Sequence, residues 1–314
     1  MQNFEDFRTQ LSYEVSQIQD PNLLYKTYYA ITSPRLETSV RDLFDSRKLT
    51  IESTDFSYFV NEILPTNGYS VEDNKALLKK MTDGDLISSE YIAQTHDKVL
   101  NLRDLVDPML TTPTLNKMVS HVADSLSSSS VGKGEFAFVL LTGGSTKAKK
   151  GGDLRIGEMD VEIKAKGCKL ASQSSHISLM SVKSAIQEYL GPRVAIKPLT
   201  PMQLRKHYLP ELGSMHELML FLQFVFQRTM FRETNFDWFL KCESIEDFFE
   251  KLAVHEFTYY QNCDKFDRML FVNPDNLNVY NTDSMDEDKL KNFSLTRSFS
   301  FASERIQTNN WTLR

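Results

Sequence analysis

The sequence predicts an α/β protein whose first 128 residues are all-α. Three observations carry that expectation. From Met1 to about Leu126, apolar residues recur at spacings of three and four, the period of a helix with one buried face. The run Ser127-Ser128-Ser129-Ser130 then breaks the composition. Beyond it, short runs of strand-like period appear near Asp153–Ala165 and again after Asp267, with helical patterns between them. The expected division is a helical domain over 1–128 and an α/β core over 129–314 with a helical insertion at about 180–256.

In the N-terminal part the helical period is read in FRTQLSYEVSQI, TYYAI and YFVNEIL. Ser33 followed by Pro34 has the form of an N-cap and first-turn proline ahead of RLETSVRDLF. Ser70, with Glu72 behind it, reads as a second capped start in YSVEDNKALLKKM. After the serine run, GEFAFVLLTGG predicts a short, very apolar helix closed by Gly143 and Gly144, and STKAKKGG a basic loop.

The period then changes. DLRIGEMDVEIKAKG holds two short runs, Asp153–Ile156 and Val161–Ala165, joined at Gly157-Glu158-Met159-Asp160, which predicts a β-hairpin. Helical patterns return in HELMLFLQFVFQRTMF and IEDFFEKLAVHEF, expected to pack across the sheet. DRMLFVNPDNLNVYN predicts two strands around an Asn-Pro-Asp-Asn turn, and FSLTRSFSFASERIQ alternates as a further strand would.

Composition bounds the function classes. With 314 residues, 41% hydrophobic and 11% aromatic, the chain can build a sizeable core and is too apolar for a disordered protein. No apolar run approaches the roughly 18–20 residues of a membrane span, and the start has no basic region leading into an apolar stretch. A soluble, unexported protein without a membrane partner is expected. Cys168, Cys242 and Cys263 are odd in number and form no CxxC pair, which argues against a disulfide framework and a structural zinc site and favours a reducing compartment. The formal net charge of −6 means that any nucleic-acid partner must be drawn by a local basic patch.

The hairpin carries the chemistry. Glu162 and Lys164 are two apart on a strand and therefore share a face. Asp153 opens the facing run, so two carboxylates can converge as a hard divalent cation such as Mg²⁺ accepts. Lys164 beside them is placed to orient or deprotonate a water and to counter phosphoryl charge. Glu135, at the start of the preceding helix, is placed where a carboxylate is favourable and could also reach toward the metal. Between Gly143 and Leu170 stand seven basic residues, Lys147, Lys149, Lys150, Arg155, Lys164, Lys166 and Lys169, against the four acids Asp153, Glu158, Asp160 and Glu162. That local reversal of an acidic chain is what a phosphate-facing groove presents.

On Gly134-Glu135, Gly152-Asp153-Leu154-Arg155-Ile156 and Val161-Glu162-Ile163-Lys164-Ala165-Lys166-Gly167, the chain resembles the PD-(D/E)xK nuclease superfamily, which has a restriction-endonuclease-like core of a central mixed sheet flanked by helices. The resemblance implies a metal-dependent deoxyribonuclease, with Mg²⁺ or Mn²⁺ held by Asp153, Glu162 and Glu135, and with Lys164 joining these three as the catalytic set. Lys147, Lys149, Lys150, Lys166 and Lys169 are the expected DNA contacts. The chain departs from the pattern at Gly152, which stands where the family motif has proline. Its style resembles proteins of tailed bacteriophages, which implies action in the host cytoplasm or carriage in the virion, and phage structural or replication proteins as partners of the N-terminal helices. Symmetric cutting of a duplex would call for a homodimer, although no coiled-coil seam marks one.

Other chemistries are not carried. Gly132-Lys133 lacks the earlier glycine of a phosphate loop, and the six histidines form no HExxH or HxxxH pair. His176, just after the hairpin, is the one histidine that could face a substrate, with a capped helix start as the plainer reading. The rival from another class is a structural or assembly protein of a phage particle that retains a nuclease-like fold; a degenerate core would be expected to lose Lys164 or one acid first, since folding alone does not require the set.

Overall fold

The structure, a computed structural model, describes residues 17–20, 36–49, 53–122, 134–143, 151–170, 241–302 and 305–314, together with isolated positions between them. All or most of FRTQLSYEVSQI, TYYAI and HELMLFLQFVFQRTMF, the serine run, His176, and the loop with Lys147, Lys149 and Lys150 lie outside the described residues.

Five strands form a mixed sheet: β1 (Val99–Asn101), β2 (Leu154–Ile156), β3 (Met159–Ala165), β4 (Arg268–Val272) and β5 (Asn278–Thr282), in the spatial order β1-β5-β4-β3-β2. β2 and β3 make the expected hairpin with a tighter turn, Gly157-Glu158: Met159 and Asp160, expected in the connection, are strand, with Leu154 opposite Val161 and Ile156 opposite Met159. β4 and β5 pair antiparallel around the Asn-Pro-Asp-Asn turn. β3 and β4 run parallel, Glu162 beside Met269 and Lys164 beside Phe271. A parallel pair needs a crossover, and the long helix before β4 lies within it.

Alternation along these strands sends their side chains to two separate cores. Leu154, Ile156, Val161, Ile163, Leu270 and Val272 join a cluster with the helices that precede the β2–β3 hairpin. Those helices are α1 (Glu37–Ser46), α2 (Thr54–Tyr58), α3 (Val71–Asp83), α4 (Ser89–Gln94), α5 (Leu102–Leu105), α6 (Thr112–Ser120) and α7 (Glu135–Thr142). α1 buries Val40, Leu43 and Phe44 at spacings of three and four. It begins at Glu37 behind Leu36, without a side-chain cap; Ser33, the expected cap, lies outside the described residues. α3 starts as expected at Ser70, whose hydroxyl accepts the Asp73 N–H. YFVNEIL is an irregular turn of π-helix, Phe59–Ile63, followed by a 3₁₀ turn, Leu64–Asn67.

α7 is the apolar helix expected from GEFAFVLLTGG. Phe136 through Thr142 are all buried, so it runs through the core with no solvent face. Its Phe136 ring lies 6.2 Å from that of Phe44, so the helices before residue 122 and the sheet share one core.

The opposite face of the sheet is covered by α8 (Ile245–Asp264) and by a separate two-stranded ribbon, β6 (Phe293–Ala302) and β7 (Arg305–Leu313), after the short α9 (Glu287–Leu290). Here Met269, Phe271 and Tyr280 meet Ala253, Phe257 and Tyr260 of α8 and Phe293 and Trp311 of the ribbon. Ser244 caps α8 by accepting the Asp247 N–H, and Glu246 and Asp247 favour its positive end. The buried Glu256 accepts a bond from Asn309 Nδ2 at 3.2 Å and ties α8 to β7.

Two elements differ from the sequence reading. β1 is a strand inside the segment expected to be all-α; with three residues it is too short to show a period, and its partner β5 is remote in sequence. The alternating tail forms two paired strands rather than one. Among the described residues no helix is long and apolar enough to cross a membrane.

Candidate active site

The site lies on the α8 side of the sheet. Since Val161 and Ile163 point into the helical core, Glu162 and Lys164 between and beyond them face α8. Asp153 stands one position beyond Leu154 in the hairpin register, opposite Glu162 and on the same face. The structure thus brings Asp153, Glu162 and Lys164 to one face of the sheet.

The approach to Asp153 explains the glycine before it. Gly152 has φ +86°, and a Cβ there would come within 3.0 Å of the Val161 backbone, so a side chain would push the hairpin apart. At Gly151 a Cβ would overlap the Asp264 carbonyl at the end of α8. The glycine pair therefore lets the chain pass between β3 and α8 and present Asp153 beside Glu162.

Asp153 Oδ2 accepts the Ile163 N–H at 2.8 Å, taking the place of a strand carbonyl. Burial, then the neighbouring Glu162 charge, pushes its carboxyl up to about 7, against the pull of Lys164 and the Ile163 N–H. Glu162 is buried, and its Oε1 accepts bonds from Lys164 Nζ and from the Tyr260 hydroxyl. Burial works against the Lys164 ammonium, but Glu162, and Asp153 after it, outweigh it and hold its pKa well above the ordinary value. The ammonium also lies 5.3 Å from the Tyr260 ring centroid.

Tyr260 was not singled out by the sequence. Its helix reads as a packing helix, and no local pattern distinguishes the one hydroxyl on its inner stripe from the neighbouring phenylalanines. Burial and Glu162 raise the phenol pKa, so the hydroxyl keeps its proton and donates. Asp264, at the end of the same helix, adds negative potential to Asp153. Cys168 sits close enough to feel Lys164 and Glu162, while burial pushes its thiol up to about 12.

Glu135 is placed differently. Gly134 packs against the side chains of Val272 and Ile163, both on the helical-core face, so α7 begins over the side of the sheet opposite Glu162 and Tyr260. Among the described residues no three His, Cys, Asp or Glu side chains form a metal-holding group. The carboxylates that the structure brings together are thus Asp153 and Glu162. Of the expected DNA contacts, Lys166 is exposed and paired with Asp275 in the β4–β5 turn, and Lys169 is partly buried. Arg155, on the same face as Asp153, holds the buried Asp160 at 2.8 Å and is committed to the hairpin.

Two carboxylates suffice for Mg²⁺, which keeps most of its waters and takes one or two protein oxygens. Burial and, after it, repulsion from Glu162 raise Asp153, and the repulsion is what a divalent cation would relieve. On that ground the residues present fit the metal that the sequence implies. Comparison of the chain with protein-family models, curated proteins and solved structures finds no match.

Proposed function

We propose that this chain is a Mg²⁺- or Mn²⁺-dependent deoxyribonuclease that hydrolyses phosphodiester bonds, with Asp153 and Glu162 as metal ligands and Lys164 as the cation of the site. The observation that carries this reading is the joint placement of Asp153, Glu162 and Lys164 on one sheet face, buried under α8. Nothing in packing asks for such a set; hydrophobic residues of similar volume would stabilise that face as well or better.

In this reading a bound Mg²⁺ supplies an acidified water and charge neutralisation at the phosphoryl oxygens. Asp153 and Glu162 bind and orient, each already held by a hydrogen bond, Ile163 N–H to the first and Tyr260 O–H to the second. Lys164, held as an ammonium, orients the water and offsets charge growing on the phosphate. Protection from bulk water comes from α8 above the strand.

Nicking of supercoiled plasmid in Mg²⁺, beside Glu162→Gln and Lys164→Ala, tests the proposal. Each variant should lose about a hundredfold or more of the rate while keeping the wild-type far-ultraviolet circular dichroism. Absence of both nicking and Mg²⁺ binding in the wild type would leave a structural or assembly role as the better reading.

A further inference from the structure

α8 ends against the candidate site, and it ends on an acid. Ala253, Phe257 and Tyr260 face the sheet from α8. Asp264 continues that stripe, at spacings of four, three and four that keep side chains on one helix face. Its backbone is fixed from the other side, since the Asp264 carbonyl occupies the place where a Cβ on Gly151 would stand, two residues before Asp153. Asp264 is half-buried, and its charge reaches both Asp153 and the Tyr260 phenol. Asp267, the next acid along the chain, accepts the Asp160 N–H at 2.9 Å instead.

This is an unfavourable place for a carboxylate. The last turn of a helix carries its unsatisfied carbonyls and the negative end of its dipole, which favour a cation and disfavour an anion. α8 has no basic residue in its last turn, and Lys265 follows only as the exposed, left-handed cap. Asp264 thus adds its charge to a negative helix end, beside an Asp153 carboxyl already raised by burial and by Glu162. Asp153, Glu162 and Asp264 together outnumber the Lys164 ammonium, and a divalent cation would neutralise the remainder. Direct ligation by all three is not what the geometry offers, because among the described residues no three such side chains form a metal-holding group. Mg²⁺ keeps most of its waters, however, and a carboxylate one water away from the ion still holds and orients it.

We infer that Asp264, at the negative end of α8, is the third carboxylate of the site and holds the divalent cation through one of its retained waters, the place that the sequence reading gave to Glu135. Its use in hydrolysis rests on the nuclease reading above, whereas the cation binding stands on the placement of Asp153, Glu162 and Asp264. Asp264 is in this sense a positioning residue, acting on the ion through water and not on the phosphate.

The test is isothermal titration calorimetry of the metal-free full chain with Mg²⁺ and with Mn²⁺, which reads binding without turnover. Asp264→Asn keeps the size of the side chain and removes its charge. It should weaken binding of both ions about tenfold or more, and Asp264→Glu should recover part of the loss. The gain in melting temperature between chelator and a fixed Mg²⁺ concentration should shrink with the affinity, a difference that a purely structural role for Asp264 would leave unmoved. Glu250→Gln, which removes an exposed charge from the same helix, should bind within about twofold of the wild type. Wild-type affinity in Asp264→Asn, an equal loss in Glu250→Gln, or a larger loss in Glu135→Gln overturns the inference, while plasmid nicking by the wild type would still uphold the nuclease. Binding that depends on Asp264 in a chain that never nicks DNA upholds the cation site and removes the nuclease reading. No binding of either ion by the wild type overturns the inference.

Discussion

At Asp153, burial and charge repulsion act together on one carboxyl. Its carboxyl sits at about 7 when folded, against an ordinary value of 3.8, so between those limits the folded chain holds a proton that the unfolded chain has lost. In metal-free protein, the contribution of Asp153 to stability should therefore be largest below about pH 4, fall as pH rises through that window, and level off above 7. Asp153→Asn keeps an oxygen for the Ile163 N–H and removes the charge. Its melting temperature should lack the part of the fall that Asp153 causes over the same window and exceed the wild type at pH 8, as scanning calorimetry in chelator would read. A parallel fall in both proteins would mean that Asp153 is not the titrating group. Tyr260 acts at the same scale by holding Glu162. If the nuclease proposal holds, Tyr260→Phe should lower kcat on the order of tenfold with little change in KM for DNA, because the hydroxyl touches the ligand and not the substrate. An equal loss in KM would instead place Tyr260 on the substrate.

At the scale of elements, α8 and the hairpin depend on each other. α8 is anchored at its start by Ser244 and at its end by Gly151, against the Asp264 carbonyl, and between these it covers the strand with Phe257 and Tyr260. Ser244→Ala removes one cap hydrogen bond and should cost about 1 kcal/mol, read as a lower urea midpoint at constant slope. Gly151→Ala should be far more damaging, because its Cβ would fall on backbone rather than on a movable side chain. The sequence announces the cap plainly through Ser244, Glu246 and Asp247. It shows Gly151 and Gly152 as a glycine pair but not what they approach. The Glu135 expectation fails to join the site for a related reason. Its position at the start of α7 is legible, whereas the sheet face over which α7 begins depends on Gly134 meeting Val272, a residue more than a hundred positions away.

For the whole molecule, the shared core is the feature with measurable consequences. Phe44 of α1 stacks edge-on with Phe56 at 5.2 Å and meets Phe136 of α7 at 6.2 Å, and the same cluster continues through Leu154 and Ile163 to Val279. Phe44→Ala should cost about 3–5 kcal/mol. The loss should move tryptophan fluorescence, which reports Trp311 behind the sheet and Trp238, together with far-ultraviolet circular dichroism in one transition. Separate transitions would show that the helical part and the sheet melt apart. The sequence by itself determined the α/β class, the presence of the hairpin, the capped start of α3, the apolar α7 and the pairing of Glu162 with Lys164, because each follows from periodicity or spacing within a few residues. Only the tertiary structure decided that β1 joins the sheet, that Glu135 starts over the far face, that Tyr260 holds Glu162 and that the tail is a paired ribbon beside Gly167. These are contacts between residues tens to hundreds of positions apart, settled by which surfaces bury one another and not by any local pattern.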